Sequence, residues 1–360
     1  MHTYHRPGDV RIVDPHSFHT NLSALWRQFF ASNSDPPTIL RSITRPDRST
    51  YLVLDSELVD RVSSARHPPL VVLDEYPVMY DAMVSMPPVS VLFFTGHGGI
   101  GKNFFMMYAL FRALSEGRNI VFSDGFSIYY IDKKTGARKF REDEDSETEL
   151  QEIIEETTLC LCTALHGSPK GVPDSIQALQ ARIAVSSYIE PARFQWARSR
   201  ESTRYFIVNL PSASDLTAVE HAYALFAPIF QFDAGLAQKI GPGLRAIRDF
   251  SDKVYKRTMK TELQKAAANA ISPLSLQSDD ALQLRKQDRS YFFYAVPVAP
   301  LINRLQSSLA YESVVPTKWL KRRLDHVKRK DLAVYCGGRR KGALLVAPCN
   351  HRGQIRRGVD

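Results

Sequence analysis

Short apolar runs alternate with amphipathic stretches of helical length between about residues 89 and 226. Val89–Phe94 is brief and almost entirely apolar, which is typical of a strand buried on both faces. Phe104–Leu114 is longer and densely apolar, and it ends before Gly117, as a buried helix does. Because this alternation continues, the pattern predicts an α/β fold with a parallel sheet flanked by helices. The other predicted strands are Asn119–Phe122, Ser127–Ile131, Thr157–Leu165, Arg182–Ser186 and Arg204–Val208.

The two flanks of this central part follow different patterns. Residues 1–85 mix short apolar stretches with prolines, and we interpret them as an N-terminal extension. Residues 251–360 are predicted to form a helical, basic C-terminal region, which leaves 86–250 as the central domain. The other predicted elements are a helix over Ser23–Phe30, a strand over Tyr51–Leu54, a helix over Tyr76–Met86 and a helix over Ser214–Phe226 with Ser214 as its N-cap.

A glycine-rich segment separates the first central strand from the apolar helix. Glycines allow backbone N–H groups to surround a phosphate at close range, a lysine neutralises its oxygens, and the helix dipole adds to the attraction. The alternative is a glycine-rich turn that holds no ligand, but the position between a buried strand and a helix favours a phosphate-binding loop. His97 is interpreted as a spacer that faces solvent. The segment reads Gly96, His97, Gly98, Gly99, Ile100, Gly101, Lys102 and Asn103, with the spacing G-x-x-x-x-G-K.

The last position of this segment departs from the usual motif. Asn103 stands where a Ser or Thr hydroxyl normally binds the Mg²⁺ ion that bridges the β- and γ-phosphates. The strand placed to supply a second metal ligand, Thr157–Leu165, is followed by His166 instead of an acid. We therefore expect ATP or another nucleoside triphosphate as the ligand, a degenerate Mg²⁺ site, and weak or no hydrolysis.

Asp74 and Glu75 follow four apolar residues, the pattern of the metal-binding acids in proteins that have a phosphate-binding loop of this kind. They precede the glycine segment by about twenty residues, whereas the metal-holding strand normally follows it. Acidic residues at the start of a helix interact favourably with its dipole. We therefore expect this pair to begin a helix.

The net charge of +9 is concentrated at one end of the chain. Residues 301–360 carry +10, which leaves −1 on the first 300 residues. Clustered lysines and arginines in 318–330 and 339–341 are typical of contact with nucleic-acid phosphates or of a nuclear import signal. The alternative is a solvated face, free or paired with the acidic segment 142–156. The candidate nucleic-acid contacts are Lys321, Arg322, Arg323, Lys328, Arg329 and Lys330.

Four cysteines are too few for a disulfide framework. Cys160 and Cys162 share one face of a predicted strand and lack a second pair at metal-ligand spacing, so we expect buried free thiols and no metal site there.

The first 30 residues show no apolar stretch behind a basic start, and no run approaches about 18 apolar residues. We expect no signal peptide, no membrane contact and a cytoplasmic or nuclear location.

Several segments are similar to those of a known family. Val91–Leu114, with Ser127–Asp132 after it, resembles the P-loop NTPase module of crinkler and retrotransposon-hot-spot-like proteins of fungal type. Val71–Tyr80 resembles the helix that leads into that module and contains a Glu-Tyr pair. Ala184–Trp196 resembles its strand ending in serines, and Gly241–Arg245 is similar to its Gly-Pro-x-x-Arg segment.

This resemblance implies an ATP-binding module of the STAND or AAA type, in which Ser186 and Arg245 sense the γ-phosphate. It also implies an effector acting in nuclei, a class often fused to a nuclease-like domain. After residue 250 we find no spaced acidic–acidic–Lys nuclease signature.

Three functions stay open on the sequence. The first is a crinkler-like ATP-binding protein, at most a degenerate ATPase. The second is a non-catalytic protein that binds nucleic acid or a protein partner through its basic tail, residues 301–360. In that case the glycine segment is a phosphate-binding loop that has lost its function. The third is an active ATPase that uses an unrecognised carboxylate.

Overall fold

The computed structural model describes most of the chain up to residue 251 and short segments after it. These residues form an α/β fold in which a mostly parallel sheet is flanked by helices, as the alternating pattern predicts. The described residues are 22–31, 38–54, 70–123, 127–140, 144–164, 172–187, 191–200, 202–228, 231–251, 294–297, 305–306, 311–314 and 317–322.

Strands and helices follow the predicted order through the central domain. The strands are β1 Leu40–Thr44, β2 Thr50–Leu54, β3 Val91–Thr95, β4 Ile120–Ser123, β5 Ile128–Asp132, β6 Gly136–Phe140, β7 Leu159–Thr163, β8 Arg182–Ser186, β9 Thr203–Ile207, β10 Tyr294–Pro297, β11 Leu305–Gln306 and β12 Tyr311–Val314. We label the helices α1 Glu75–Val84, α2 Lys102–Ser115, α3 Glu144–Ile153, α4 Asp174–Ala178, α5 Ala213–Phe226, α6 Ala237–Ile240 and α7 Leu244–Ser251. Shorter helical pieces are 22–26 with the π-helix Arg27–Ala31, the 3₁₀-helices Pro191–Ser199 and Ala234–Leu236, and the turn 318–322.

Eight strands form the main sheet in the order β11-β9-β3-β8-β7-β4-β5-β6. The strands from β9 to β4 run parallel, β5 and β6 extend the sheet as an antiparallel hairpin, and β11 pairs antiparallel with β9. Two separate two-stranded antiparallel sheets are formed by β1 with β2 and by β10 with β12.

The apolar strand β3 lies where the direction of winding reverses. The chain leaves β3 through α2 to reach β4, three positions away, and later passes from β8 to β9 on the opposite side of β3. In open α/β sheets, ligands bind beyond the carboxyl ends of the strands at such a reversal. The glycine segment that follows β3 therefore lies at the expected ligand edge.

Two apolar clusters cover the two faces of the sheet. Leu92 and Phe94 belong to one cluster and Val91 and Phe93 to the other, because successive strand residues point to opposite faces. The first cluster also contains Leu22 near the start of the described chain and Leu320 near its end, among its other members. One core thus joins residues from all three predicted regions, and the division at 85 and 250 stays a prediction.

The free thiols of Cys160 and Cys162 are buried together on the second face, as the spacing predicts. Burial raises the pKa of Cys160 far above that of an exposed thiol, so it stays protonated.

Two predictions about elements are wrong in part. The C-terminal region was expected to be helical, but its described residues include β10, β11 and β12 beside the helical turn 318–322. Tyr and Val residues in β10 and β12 favour extended pairing over helix. The predicted helix signal farther on, in 323–330, lies outside the described residues.

The N-cap of α5 is Ser212 and not Ser214. The Ser212 hydroxyl accepts a bond from the backbone N–H of Asp215 at 3.0 Å, and the Asp215 carboxylate accepts from the backbone N–H of Ser212 at 2.8 Å. This reciprocal pair requires a spacing of three residues, which Ser214 does not have.

We predict that Ser212→Ala lowers the free energy of unfolding by about 1 kcal/mol, because it removes this cap. Ser214→Ala, in the exposed first turn of the same helix, is the matched control and is expected to change it by less than about 0.5 kcal/mol. Urea unfolding followed by circular dichroism measures both. Equal losses in the two variants would contradict the assigned cap.

Candidate phosphate-binding site

The glycine segment forms a tight loop between the carboxyl end of β3 and the first turn of α2. Gly96, Gly99 and Gly101 have φ angles of +131°, +80° and +104°, which residues with a Cβ rarely adopt. Positive-φ residues interspersed with residues of negative φ turn backbone N–H groups towards a common concavity, the geometry of an anion-binding nest. The loop backbone therefore contains positive-φ glycines of the kind on which such a nest depends.

Lys102 is the first residue of α2 and is buried, with 6% of its surface exposed. Its Nζ donates hydrogen bonds to the carbonyl oxygens of Gly96 at 3.1 Å and His97 at 2.6 Å. These two bonds hold the ammonium against the start of the glycine segment, which precedes Lys102 in the chain. It lies at the N-terminus of α2, where helical N–H groups already concentrate positive partial charge, so the two effects add.

His97 does not face solvent, contrary to the sequence interpretation, because only 3% of it is exposed. The loop is enclosed by neighbouring segments on several sides. A Cβ on Gly96 would lie 3.0 Å from the carbonyl oxygen of Val208, and one on Gly99 would lie 2.5 Å from Cβ of Arg245. This enclosure leaves His97 and Ile100 buried, while Gly98 and Gly99 stay partly open.

Asn103 and Ser186 meet at the carboxyl edge of the sheet. The Ser186 hydroxyl donates to the Asn103 side-chain oxygen at 2.8 Å. Ser186 ends β8, the strand beside β3, and Asn103 lies in the first turn of α2 and is exposed. The residue that replaces the usual metal-binding hydroxyl and the residue implied to sense phosphate therefore form one polar pair next to the loop.

Mg²⁺ prefers acidic oxygen ligands, and none of the described strands β3, β4, β7, β8 and β9 ends in an acid. Thr163, at the end of β7, lies opposite Ser186 in the sheet, and residues 159–164 contain no acid. The described part of the chain contains no group of three His, Cys, Asp or Glu residues that could hold a metal ion. The oxygens of Asn103 and Ser186 are neutral, so the donor set does not fit a tightly bound divalent cation.

Asp74 and Glu75 begin α1, as the sequence predicts. The backbone N–H of Asp74 donates to the Asp215 carboxylate at 2.9 Å, and the Glu75 carboxylate accepts from the backbone N–H of Asn209 at 2.8 Å. Burial raises the pKa of Asp74, and the nearby charge of Asp215 adds to the effect. The carboxylates of Glu75 and Asp215 thus hold backbone at the junction of α1, β9 and α5.

Arg245 lies in the first turn of α7, directly against the loop. Its backbone N–H donates to the carbonyl oxygen of Gly99 at 3.1 Å, and its side chain is exposed. The close approach of its Cβ to Gly99 explains why this loop position needs a glycine. The Gly-Pro-x-x-Arg segment thus brings the backbone and the aliphatic part of the Arg245 side chain against the loop from a distant part of the chain.

The candidate nucleic-acid contacts are described only in part. Lys321 and Arg322 are exposed in the turn 318–322, whose Leu320 is fully buried in the first apolar cluster. Arg323, Lys328, Arg329 and Lys330 lie outside the described residues.

Tyr76 contacts the loop, which sequence reasoning missed. Its hydroxyl donates to the carbonyl oxygen of Gly101 at 2.8 Å. The Glu75-Tyr76 pair stood out in the sequence only through the resemblance, since no spacing rule links it to a loop 25 residues later.

Comparison with known proteins gives no family. A scan against protein-family models finds no match, and a search of curated proteins finds no significant one. No helix among the described residues has the length and apolar character needed to cross a membrane.

We predict that Gly101→Ala lowers the free energy of unfolding by about 3 kcal/mol or more, because backbone strain and steric overlap act together. A Cβ at this position would lie 2.5 Å from the Tyr76 hydroxyl. Gly117→Ala is the matched control, since Gly117 has a φ of +71° and open space around it. We expect it to lose about 1–2 kcal/mol, from backbone strain alone. Similar losses in both variants, measured by denaturant unfolding, would contradict the close packing of the loop.

Proposed function

We propose that the chain is a P-loop protein of the crinkler-like type that binds ATP or another nucleoside triphosphate, with weak or no hydrolysis. The observation that carries the proposal is the loop itself. Three glycines with positive φ, the buried ammonium of Lys102 and the N-terminus of α2 lie together in residues 96–102, where Lys102 Nζ bonds the carbonyl oxygens of Gly96 and His97. Phosphate chains are the anions that such loops bind.

The surroundings of the loop support a triphosphate as the ligand. In this proposal, loop N–H groups and Lys102 hold the inner phosphates. Arg245 and Ser186 approach from α7 and β8, where they can contact the terminal phosphate. Each belongs to a different element, so a ligand that touches all of them must be extended along this edge.

The metal chemistry supports binding over hydrolysis. Mg²⁺ normally stabilises the charge that develops during phosphoryl transfer. Asn103 and Ser186 supply an amide oxygen and a hydroxyl but no carboxylate, so we assign no step to the metal.

We expect ATP at about 100 times its Kd to stabilise the protein by about 2.7 kcal/mol, which raises Tm by about 5 °C. Lys102→Ala removes the ammonium and is expected to abolish this shift in differential scanning fluorimetry. Lys139→Ala, in β6 at the far edge of the sheet, is the matched control and should keep the shift. Arg245→Ala should reduce the shift with ATP more than the shift with ADP, since only ATP carries a γ-phosphate.

The same melts with EDTA in place of Mg²⁺ separate binding from metal chemistry. We expect the ATP shift to survive, because none of the described parallel strands ends in an acidic metal ligand. No shift with any nucleoside triphosphate in the wild type would refute the proposal. Phosphate release that Lys102→Ala abolishes would instead favour an active ATPase.

A second candidate function, contact with nucleic acid, is favoured by how the basic tail begins. Leu320 is buried in the core, and the Thr317 hydroxyl donates to the carbonyl oxygen of Lys239 in α6. This anchor leaves Lys318, Lys321 and Arg322 exposed on one side of the turn. Cations fixed in this way suit a phosphate backbone.

For this candidate, we expect changing Lys318, Lys321 and Arg322 together to Ala to weaken binding of duplex DNA. The negative slope of log K against log salt should become shallower by about two to three. The charge-matched control changes Lys133, Lys134 and Lys139 to Ala, and Lys102→Ala tests independence from the loop. Equal DNA retention by the tail variant and the wild type would exclude the candidate.

A further inference from the structure

We propose that Tyr76 and Glu75 are positioning residues of the phosphate site, which fix the two ends of the glycine loop from α1. The inference rests on the proposed function, because positioning matters only if the loop binds phosphate. It extends the site to a helix that precedes the loop in the chain and touches no phosphate.

Tyr76 fixes the end of the loop that enters α2. Its hydroxyl donates to the Gly101 carbonyl oxygen, which also accepts the first helical bond from the N–H of Phe105 at 2.9 Å. Gly101 C=O and Lys102 N–H belong to one planar trans peptide and point in opposite directions. A carbonyl held towards Tyr76 therefore aims the Lys102 N–H towards the concavity.

Glu75 fixes the start of the loop through Val208 and Asn209, which follow β9. Its carboxylate accepts from the N–H of Asn209, directly after Val208. Val208 in turn donates its N–H to the carbonyl oxygen of Thr95 at 2.8 Å, and its own carbonyl lies against Gly96. The carboxylate thus holds the backbone segment on which the first glycine packs.

The environment of Tyr76 keeps its hydroxyl a donor. The side chain is 1% exposed and packs edge-on against Phe105 of α2. Burial raises the pKa of Tyr76 far above its ordinary value, and the Asp215 charge raises it further. The phenol therefore stays protonated near neutral pH and can donate to Gly101.

Tyr76→Phe removes the hydroxyl alone, and α1 supplies a matched control one turn later. Tyr80 is also buried, and its hydroxyl donates to the Glu116 carboxylate at 2.8 Å, away from the loop. We expect Tyr76→Phe to raise the Kd for ATP about threefold to tenfold, the effect of one lost hydrogen bond. Tyr80→Phe should leave this Kd within about twofold, with a comparable change in unfolding stability.

Glu75 has a conservative variant that tests its role. Glu75→Gln keeps an acceptor oxygen for Asn209 and should bind ATP nearly as the wild type does, whereas Glu75→Ala should bind it about threefold to tenfold more weakly. If Tyr76 and Glu75 have only a structural role, the four variants can differ in unfolding stability but all bind ATP with the same Kd.

Isothermal titration with ATP and hydrogen exchange of the loop amides give the two readouts. Weaker binding and faster exchange over 99–103 in Tyr76→Phe, but not in Tyr80→Phe, support the inference. Wild-type Kd and exchange in Tyr76→Phe would overturn it. If the wild type binds no ATP, the proposed function fails, and the exchange data still show whether Tyr76 fixes the loop.

Discussion

The backbone of residues 96–101 adopts a conformation that only glycine permits at three positions, and the site depends on this constraint. Each of the three glycines also lies against another element: Val208 after β9, Arg245 in α7 and Tyr76 in α1. Conformation and close packing therefore demand the same residue type at each position. The buried ammonium of Lys102 donates to two carbonyl oxygens of this loop and so places a positive charge beside Gly96 and His97.

The reversal of winding at β3 gathers the rest of the site around this loop. β8 brings Ser186 to Asn103, the residues after β9 close over Gly96, and α7 begins on Gly99. In the neighbouring α1 and α5, the carboxylates of Glu75 and Asp215 accept hydrogen bonds from backbone N–H groups. Our proposal of phosphate binding without efficient cleavage follows from the glycine loop with Lys102 and from the ends of the described parallel strands, which carry no acid.

Local signals predicted the strand, loop and helix around Lys102, because the spacing of glycines and the apolar pattern are properties of neighbouring residues. The sequence also placed β8 at its observed bounds, but the contact of Ser186 with Asn103 depends on strand order, which chain order does not determine. Tyr76, Arg245 and Val208 are also far from the loop in the chain, so their contacts with it could not be predicted from chain order. Edge strand β6 was missed because its charged residues Arg138 and Lys139 hide the alternation, and the burial of His97 follows from long-range enclosure.

A crystal structure of the chain with a non-hydrolysable ATP analogue, grown without Mg²⁺, tests the central claim most directly. The account predicts phosphate density inside the loop, with oxygens about 3 Å from Lys102 Nζ and from backbone N–H groups of residues 98–102. Full occupancy of the analogue at another site, with an unchanged and empty loop, would contradict it.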